Sequence, residues 1–237
     1  MKRLLKKLAK SALAEVMPTS KLIIGGARTL PPRLANSIAL TFDDGPHPVW
    51  TPRLLDTLQE YQLRGTFFVV GELAERRPDL IHRIVDEGHT LGNHSYTHAD
   101  EIIWNDAAFL AEVKRTRHLL EDMTGLPCPY VRPPKGVVTV RRLRELWNDD
   151  QCVVLWNVNP EDFNADNADD VVDWSSRYRP RHGDVLLWHD NHPWVVIALN
   201  YLMSPRTNHP LRAMNSIPLS LLQKSTISRH ACEVVPS

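Results

Sequence analysis

Residues 37–46 read SIALTFDDGP, a short apolar run followed by two adjacent aspartates and a Gly-Pro pair. The apolar run predicts a buried strand, and Gly-Pro marks the turn that ends it. Aspartate is also an ordinary turn residue, so Asp43 and Asp44 taken alone are compatible with a simple turn. The rest of the chain decides whether this strand end is a turn or a site.

Strand and helix patterns alternate along the chain on both sides of this stretch. Amphipathic patterns at 51–62, 77–88 and 107–125 predict helices, and apolar runs such as 65–71 and 183–190 predict strands. Strands separated by helices of this length indicate βα units on a parallel sheet or barrel. About five or six such units predict a barrel smaller than the eight-fold one. Beyond Ala198 the pattern weakens, and it places no strand there.

Polar residues follow the apolar runs at the points where the predicted strands end. In parallel α/β folds the carboxyl ends of the strands meet at one edge, which is where ligands and catalytic groups gather. The residues at these ends are Asp43 and Asp44, His94 and His98, Arg132, Asp162, and His189. The topology therefore predicts that they converge.

The segment NHSYTH spaces His94 and His98 four residues apart. If it forms a helical turn, both imidazoles lie on one face and can share a cation. With eleven histidines in the chain, a pair without a metal is the alternative. One carboxylate from a neighbouring strand would complete a two-histidine, one-aspartate set that suits zinc and also cobalt or nickel.

Five motifs, taken together and in this order, resemble those of the polysaccharide deacetylases, the NodB-homology or carbohydrate esterase family 4 proteins. They are TFDDGP at 41–46, HSYTH at 94–98, RPPKG at 132–136, NPEDF at 159–163 and LWH at 187–189. The resemblance covers roughly residues 37–192 and implies an α/β fold, a deformed (β/α)7-type barrel of the NodB-like glycoside hydrolase/deacetylase kind. On this basis we expect a basic N-terminal extension over 1–35 and the deacetylase domain over 36–237.

The resemblance gives the two aspartates of the opening stretch different tasks. It implies that Asp44 holds one divalent metal ion, zinc in the first instance, together with His94 and His98. It implies that Asp43 is the base that takes a proton from water. A cation lowers the pKa of nearby water towards about 7, so a neighbouring carboxylate can complete the deprotonation. One aspartate could not easily be both a metal ligand and a free base.

The later motifs imply the proton donor and its supports. His189 resembles the general acid, which amide hydrolysis needs because an amine anion leaves poorly, and Asp162 would orient it. Arg132 would pair with Asp43 and keep it ionised. As alternatives, Arg132 could be a surface arginine beside a proline turn, and Asp162 could cap the helix that begins near Asp169.

The resemblance also implies a substrate pocket. The backbone N–H of Lys135 would bind the developing oxyanion, and Phe163 and Leu187 would wall a pocket for the acetyl methyl. The chain departs from the family's usual pattern at Lys135, where an aromatic is typical, and at Asn159 and Phe163, where Asp and Trp are typical. These departures put the sugar preference in doubt but remove no metal ligand or proton-transfer residue.

The function that follows is removal of N-acetyl groups from N-acetylhexosamine residues of an oligosaccharide or polysaccharide. Two alternatives stay open. The same site could cleave O-acetyl sugar esters or a small amide, or the barrel could be a catalytically inactive carbohydrate-binding protein. The sequence names neither the glycan nor the oligomeric state.

Composition limits partners and location. Lysine plus arginine equals aspartate plus glutamate at 28 each, so no overall charge favours nucleic acid. No signal peptide is recognised, because lysines interrupt the apolar residues of the N-terminus. We therefore expect a cytoplasmic protein, with peripheral membrane contact through a basic amphipathic helix over residues 1–17 as a further hypothesis. Cys128, Cys152 and Cys232 are too scattered for a disulfide framework and predict buried thiols.

Overall fold

The structure is a computed structural model, and it describes residues 20–26, 30 and 34–223. Its strands are β1 (Leu22–Ile23), β2 (Ser37–Asp43), β3 (Gly65–Val69), β4 (Thr90–Asn93), β5 (Tyr130–Val131), β6 (Cys152–Val154), β7 (Val185–His189) and β8 (Asn215–Ser216). Its helices are α1 (Trp50–Glu60), α2 (Gly71–Arg76), α3 (Pro78–Asp86), α4 (Asp100–Ile103), α5 (Asp106–Thr124), α6 (Val140–Asn148), α7 (Ala168–Arg177), α8 (Trp194–Met203) and α9 (Ser220–Gln223).

The strands form one parallel sheet in the order β1-β6-β5-β4-β3-β2-β7, with β8 also paired to β2. The two ends of the sheet approach each other. Val158, just past β6, bridges to Leu186 of β7, and the Gly26 N–H donates to the Gly183 carbonyl at 2.8 Å. The predicted α/β barrel of parallel strands, deformed and smaller than eight-fold, is confirmed.

The sheet begins inside the segment expected to be an N-terminal extension. β1 pairs with β6 within the predicted extension 1–35, and the Lys21 amine donates to the Trp147 carbonyl at 2.7 Å. The barrel therefore starts before residue 36. The reason is that a two-residue strand is too short to produce a periodic pattern in the sequence. Residues 1–17 lie outside the described part of the chain, so the basic helix stays a prediction.

The interior is built from strands that are buried along their whole length. Every residue of β2 and β3 is buried, as expected for strands covered on both faces. Leu54, Leu55 and Leu58 form the buried stripe of α1, and together with Phe42 and Trp188 they belong to the largest core cluster. This packing fixes the carboxyl ends of the strands, where the polar residues lie.

The register of the strands brings the motifs to one edge of the barrel. Asp43, the last residue of β2, is aligned with Phe68 of β3 on one side and with His189 of β7 on the other. Asn93, just before His94, is aligned with Val131, just before Arg132. The motif residues that end these four strands therefore lie at the same level of the sheet.

The segment after Ala198, for which the sequence predicts no strand, closes the opposite end of the barrel. β8 pairs with the first residues of β2. The buried Leu219 accepts a hydrogen bond from the Tyr130 hydroxyl at 2.7 Å, and its N–H donates to Thr66 at 3.0 Å. Because Thr66 and Tyr130 lie near the starts of their strands, residues up to 223 cover the amino ends and leave the carboxyl ends open.

The cysteine prediction holds for the described part of the chain. Cys128 and Cys152 are buried, and burial raises the pKa of each thiol to about 12, which makes them unreactive. Cys232 lies outside the described residues. Among the described helices, none has the length and apolar character needed to cross a bilayer.

Candidate active site

Asp44, His94 and His98 converge at the open end of the barrel. The Oδ1 atom of Asp44 lies 3.4 Å from the Nε2 atom of His94 and 3.4 Å from the Nε2 atom of His98. One ligand atom from each residue lies within 4.8 Å of the others. The three residues expected to share a cation are therefore neighbours in the fold.

The convergence arises from strained loop backbone rather than from a helical turn. The residues 94–98 form no helix, so the expectation that His94 and His98 share a helix face is wrong. Instead, Asp44, Ser95 and His98 adopt left-handed backbone conformations with φ of 73°, 68° and 55°. Non-glycine residues rarely adopt these angles, and such strain concentrates at functional sites. The left-handed residues turn the loops so that the three side chains meet.

The chemistry of this pocket fits a divalent cation. Asp44 Oδ1 is buried and makes no hydrogen bond, and its two imidazole neighbours lie 3.4 Å away. The Nδ1 atom of His94 lies 2.7 Å from the Arg132 carbonyl oxygen, which can only accept, so Nδ1 carries the proton and Nε2 faces Asp44. Burial lowers the pKa of His94, but the Asp43 and Asp44 carboxylates outweigh burial and raise it. The pocket thus stabilises positive charge beside His94 Nε2.

The pKa of Asp44 also reflects this environment. Burial raises it, but contact with His94 and the nearby His189 and His98 hold it well below its usual range. For His98, burial and the neighbouring His94 lower the pKa, which favours the neutral imidazole. An ionised carboxylate and a neutral imidazole are the forms in which these groups bind metal.

Asp43 is held next to this set by a fully buried arginine. The Arg132 Nη1 group donates to Asp43 Oδ1 at 2.6 Å and to the Thr41 hydroxyl at 2.7 Å. Its other nitrogens donate to the Val154 and Leu155 carbonyls, so the guanidinium is fixed from several sides. Because Arg132 is fully buried, the alternative of a surface arginine is wrong. The second oxygen of Asp43 lies 3.6 Å from His94 Nε2, at the edge of the cation pocket.

Asp162 and His189 form a second pair across the site. Asp162 Oδ1 lies 2.9 Å from His189 Nδ1, and its Oδ2 accepts the backbone N–H of His189 at 2.8 Å. The alternative of a helix cap is wrong, because Asn167 caps α7 with a capping box. Burial lowers the pKa of His189, but the hydrogen bond to Asp162 and the charges of Asp162, Asp43 and Asp44 raise it to about 9. At neutral pH this side chain is therefore an imidazolium, with a proton on both ring nitrogens.

Comparisons with known proteins identify the family of this chain. A family model described as polysaccharide deacetylase matches residues 32–149. The chitooligosaccharide deacetylase of Sinorhizobium fredii is 37% identical to this chain over 164 residues, which make up 67% of this chain and 74% of that protein. The chain belongs to the polysaccharide deacetylase family.

Two further comparisons give the similarity of this chain to other deacetylases in sequence and in fold. It is 34% identical to the peptidoglycan-N-acetylglucosamine deacetylase of Bacillus cereus over 57% of this chain, and it spans about half (49%) of that protein's length. Its fold matches the crystal structure of the Bc1960 peptidoglycan N-acetylglucosamine deacetylase with a TM-score of 0.72 and 28% identity, covering 85% of this chain and 92% of the other.

The three residues expected to contact the substrate differ in their exposure and in the contacts that they make. Phe163 is exposed, and its ring meets the His189 ring edge to face, with 5.5 Å between centroids. Leu187 is buried in β7. Lys135 has a left-handed backbone, with φ of 53°, and its amine pairs with Asp100 at 2.7 Å. The oxyanion role of the Lys135 N–H and the acetyl pocket stay predictions.

Asp190 is a residue of the site that the sequence reading missed. Its side chain is buried beneath Gly45, where an added Cβ would lie 2.2 Å from Asp190 Oδ2. Its backbone N–H donates to the Asp43 carbonyl at 3.1 Å. Burial raises the pKa of Asp190 to about 7. An acid directly after the predicted catalytic His189 was the available signal, and it explains why position 45 requires glycine.

Proposed function

We propose that this protein is a metal-dependent deacetylase that hydrolyses the N-acetyl group of N-acetylhexosamine residues in an oligosaccharide or polysaccharide. The observation that carries the proposal is the buried, unpartnered Asp44 Oδ1, which lies 3.4 Å from Nε2 of both His94 and His98. This donor set suits zinc, cobalt or nickel. Held there, a divalent cation would polarise the acetyl carbonyl and lower the pKa of a water molecule.

Asp43 is the base in this proposal. It lies beside the cation pocket but is engaged by Arg132 rather than by the histidines, so one carboxylate oxygen remains available for a proton. The division of labour between adjacent aspartates therefore follows from their partners: two histidines for Asp44 and one arginine for Asp43.

His189 is the proton donor to the departing nitrogen. Asp162 holds the ring through Nδ1 and stabilises the imidazolium. Because Nδ1 is engaged by Asp162, Nε2 is the nitrogen that donates the proton. Phe163 contacts the His189 ring edge to face. A positioned acid of this kind contributes about 10²–10⁴-fold to the rate.

The names of relatives guide the choice of substrate. Relatives named for chitooligosaccharide and for peptidoglycan deacetylation are both similar to this chain, so both glycan types belong in the assay. The test is acetate release from N-acetylated chitooligosaccharides and peptidoglycan fragments by the chelator-treated protein, with and without added Zn²⁺ or Co²⁺. We expect release only with metal. No release from any N-acetylated glycan with either metal would contradict the proposal and favour a binding protein.

Replacing Asp162 by asparagine is expected to move the alkaline limb of the pH–rate profile to lower pH. The Asp162 carboxylate helps raise the pKa of His189 to about 9, so its removal lowers that pKa and the acid form is lost sooner as pH rises. We expect a displacement of about 1–2 pH units. The measurement is kcat/KM against pH for both proteins at the same metal loading. An unchanged alkaline limb would show that another group is the acid.

A further inference from the structure

A second cluster of metal-ligating side chains lies next to the acid pair. Asp162, His189 and His192 each present one ligand atom, and these atoms lie within 4.8 Å of one another. His189 ends β7, His192 lies in the turn before α8, and Asp162 lies in the short 3₁₀ turn Asp162–Asn164. None of the roles in the proposed reaction uses His192.

His192 is a half-buried imidazole whose ring nitrogens have no hydrogen-bond partner. Neither Nδ1 nor Nε2 makes a hydrogen bond, although both atoms are buried. Nε2 lies 3.6 Å from Asp162 Oδ2, which is too far for a hydrogen bond. Because no hydrogen bond occupies the lone pair of this ring, that lone pair is available to a ligand. The side chains of His189 and His192 are 12% and 21% exposed, so a ligand can reach them from solvent.

We propose that Asp162, His189 and His192 bind a second divalent transition-metal ion, of the zinc class, and that this ion inhibits the enzyme. Two imidazoles and one carboxylate form the same donor set as Asp44, His94 and His98, so a metal that fills one site has ligands in the other. A cation bound at His189 Nδ1 replaces one of the two protons of the imidazolium, and the Nε2–H left on the neutral, metal-bound ring is a much weaker acid towards the leaving nitrogen. The inhibition rests on the proposed function, whereas the binding does not.

The second site is the weaker of the two. Asp162 already holds a proton on His189 Nδ1, and the incoming metal must displace that proton or break the 2.9 Å contact between the two side chains. The Asp44 carboxylate, by contrast, has an unpartnered oxygen facing its two histidines. We therefore expect activation at low metal concentration and inhibition in excess.

The binding test compares His192→Phe with a matched change of an exposed histidine, His118→Phe on α5. The three chelator-treated proteins are titrated with Zn²⁺, and bound metal is counted by equilibrium dialysis. We expect wild type and His118→Phe to bind one equivalent more than His192→Phe. Equal stoichiometry for all three proteins would overturn the proposal, and His192 would then be an imidazole satisfied by water.

A second arm separates this site from the first. In an Asp44→Asn, His98→Ala background, the additional equivalent should persist and should still depend on His192, whatever the fate of the deacetylase activity. Its disappearance in that background would overturn the assignment to a separate site.

The activity arm measures acetate release as Zn²⁺ is raised. Loss of one ligand should raise the inhibitory concentration in His192→Phe at least about tenfold, since even outer-shell changes weaken metal sites by that much. His118→Phe should behave as wild type. Inhibition with the same concentration dependence in all three proteins, or retention of full activity when the extra equivalent is bound, would overturn the inhibitory role.

Discussion

Replacing Asp43 by asparagine is expected to lower kcat/KM for N-acetyl hydrolysis about 10²–10⁴-fold, the usual contribution of a positioned base. Asparagine has nearly the same shape, and its side-chain oxygen can still accept the hydrogen bond from Arg132. It cannot take a proton from water. The measurement is acetate release from an N-acetylated oligosaccharide at saturating metal, together with metal stoichiometry, which should not change because Asp44, His94 and His98 remain.

A control is needed because the same change leaves the buried Arg132 without its counter-charge. Breaking a buried ion pair on one side costs about 3–5 kcal/mol of folding free energy. Thr41→Val removes the other hydrogen bond of Arg132 Nη1 without touching the base. We expect Thr41→Val to be destabilised but to retain activity within about tenfold. If Asp43→Asn keeps wild-type kcat/KM, or if Thr41→Val loses as much activity, Asp43 is not the base.

Replacing His189 by alanine is expected to separate amide from ester hydrolysis. An amine anion is a poor leaving group and requires a proton, whereas an alkoxide leaves more readily. We therefore expect a loss of about 10²–10⁴-fold on the N-acetyl substrate and less than about tenfold on the corresponding O-acetyl sugar. The measurement is kcat/KM on N- and O-acetylated forms of the same oligosaccharide.

The comparison of the two bond types carries the argument, because a general disturbance of the site would reduce both rates. Metal stoichiometry at the first site should be unchanged, since His189 is not among its three ligands. Comparable losses on both substrates would contradict the acid role of His189 and assign it to positioning or packing.

Prediction from sequence succeeded where a residue's position follows from strand order. Apolar runs long enough to be recognised ended at Asp43, His94 and His189, and parallel pairing then brought those ends together. It failed for β1 and β8, because strands of two residues have no periodicity to detect and no recognised motif follows either of them. β5 is equally short, but the RPPKG motif marks its end. These two strands complete the sheet and the closed end of the barrel.

The site itself was predictable as a set of residues but not as a geometry. The helical turn expected for His94 and His98 is replaced by a loop with left-handed Ser95 and His98, a backbone choice set by tertiary packing rather than by local propensity. The sequence shows Asp190 and His192 just after His189, but it does not give either residue a role. Their significance lies in burial and in missing partners, and only the folded chain reveals either property.

The most direct test of the metal assignment is a zinc-edge anomalous difference map from crystals grown with one equivalent of Zn²⁺. The expected result is one strong peak at about 2.0–2.2 Å from Asp44 Oδ1, His94 Nε2 and His98 Nε2. Imidazoles turned away from Asp44 and no peak between them would contradict the account.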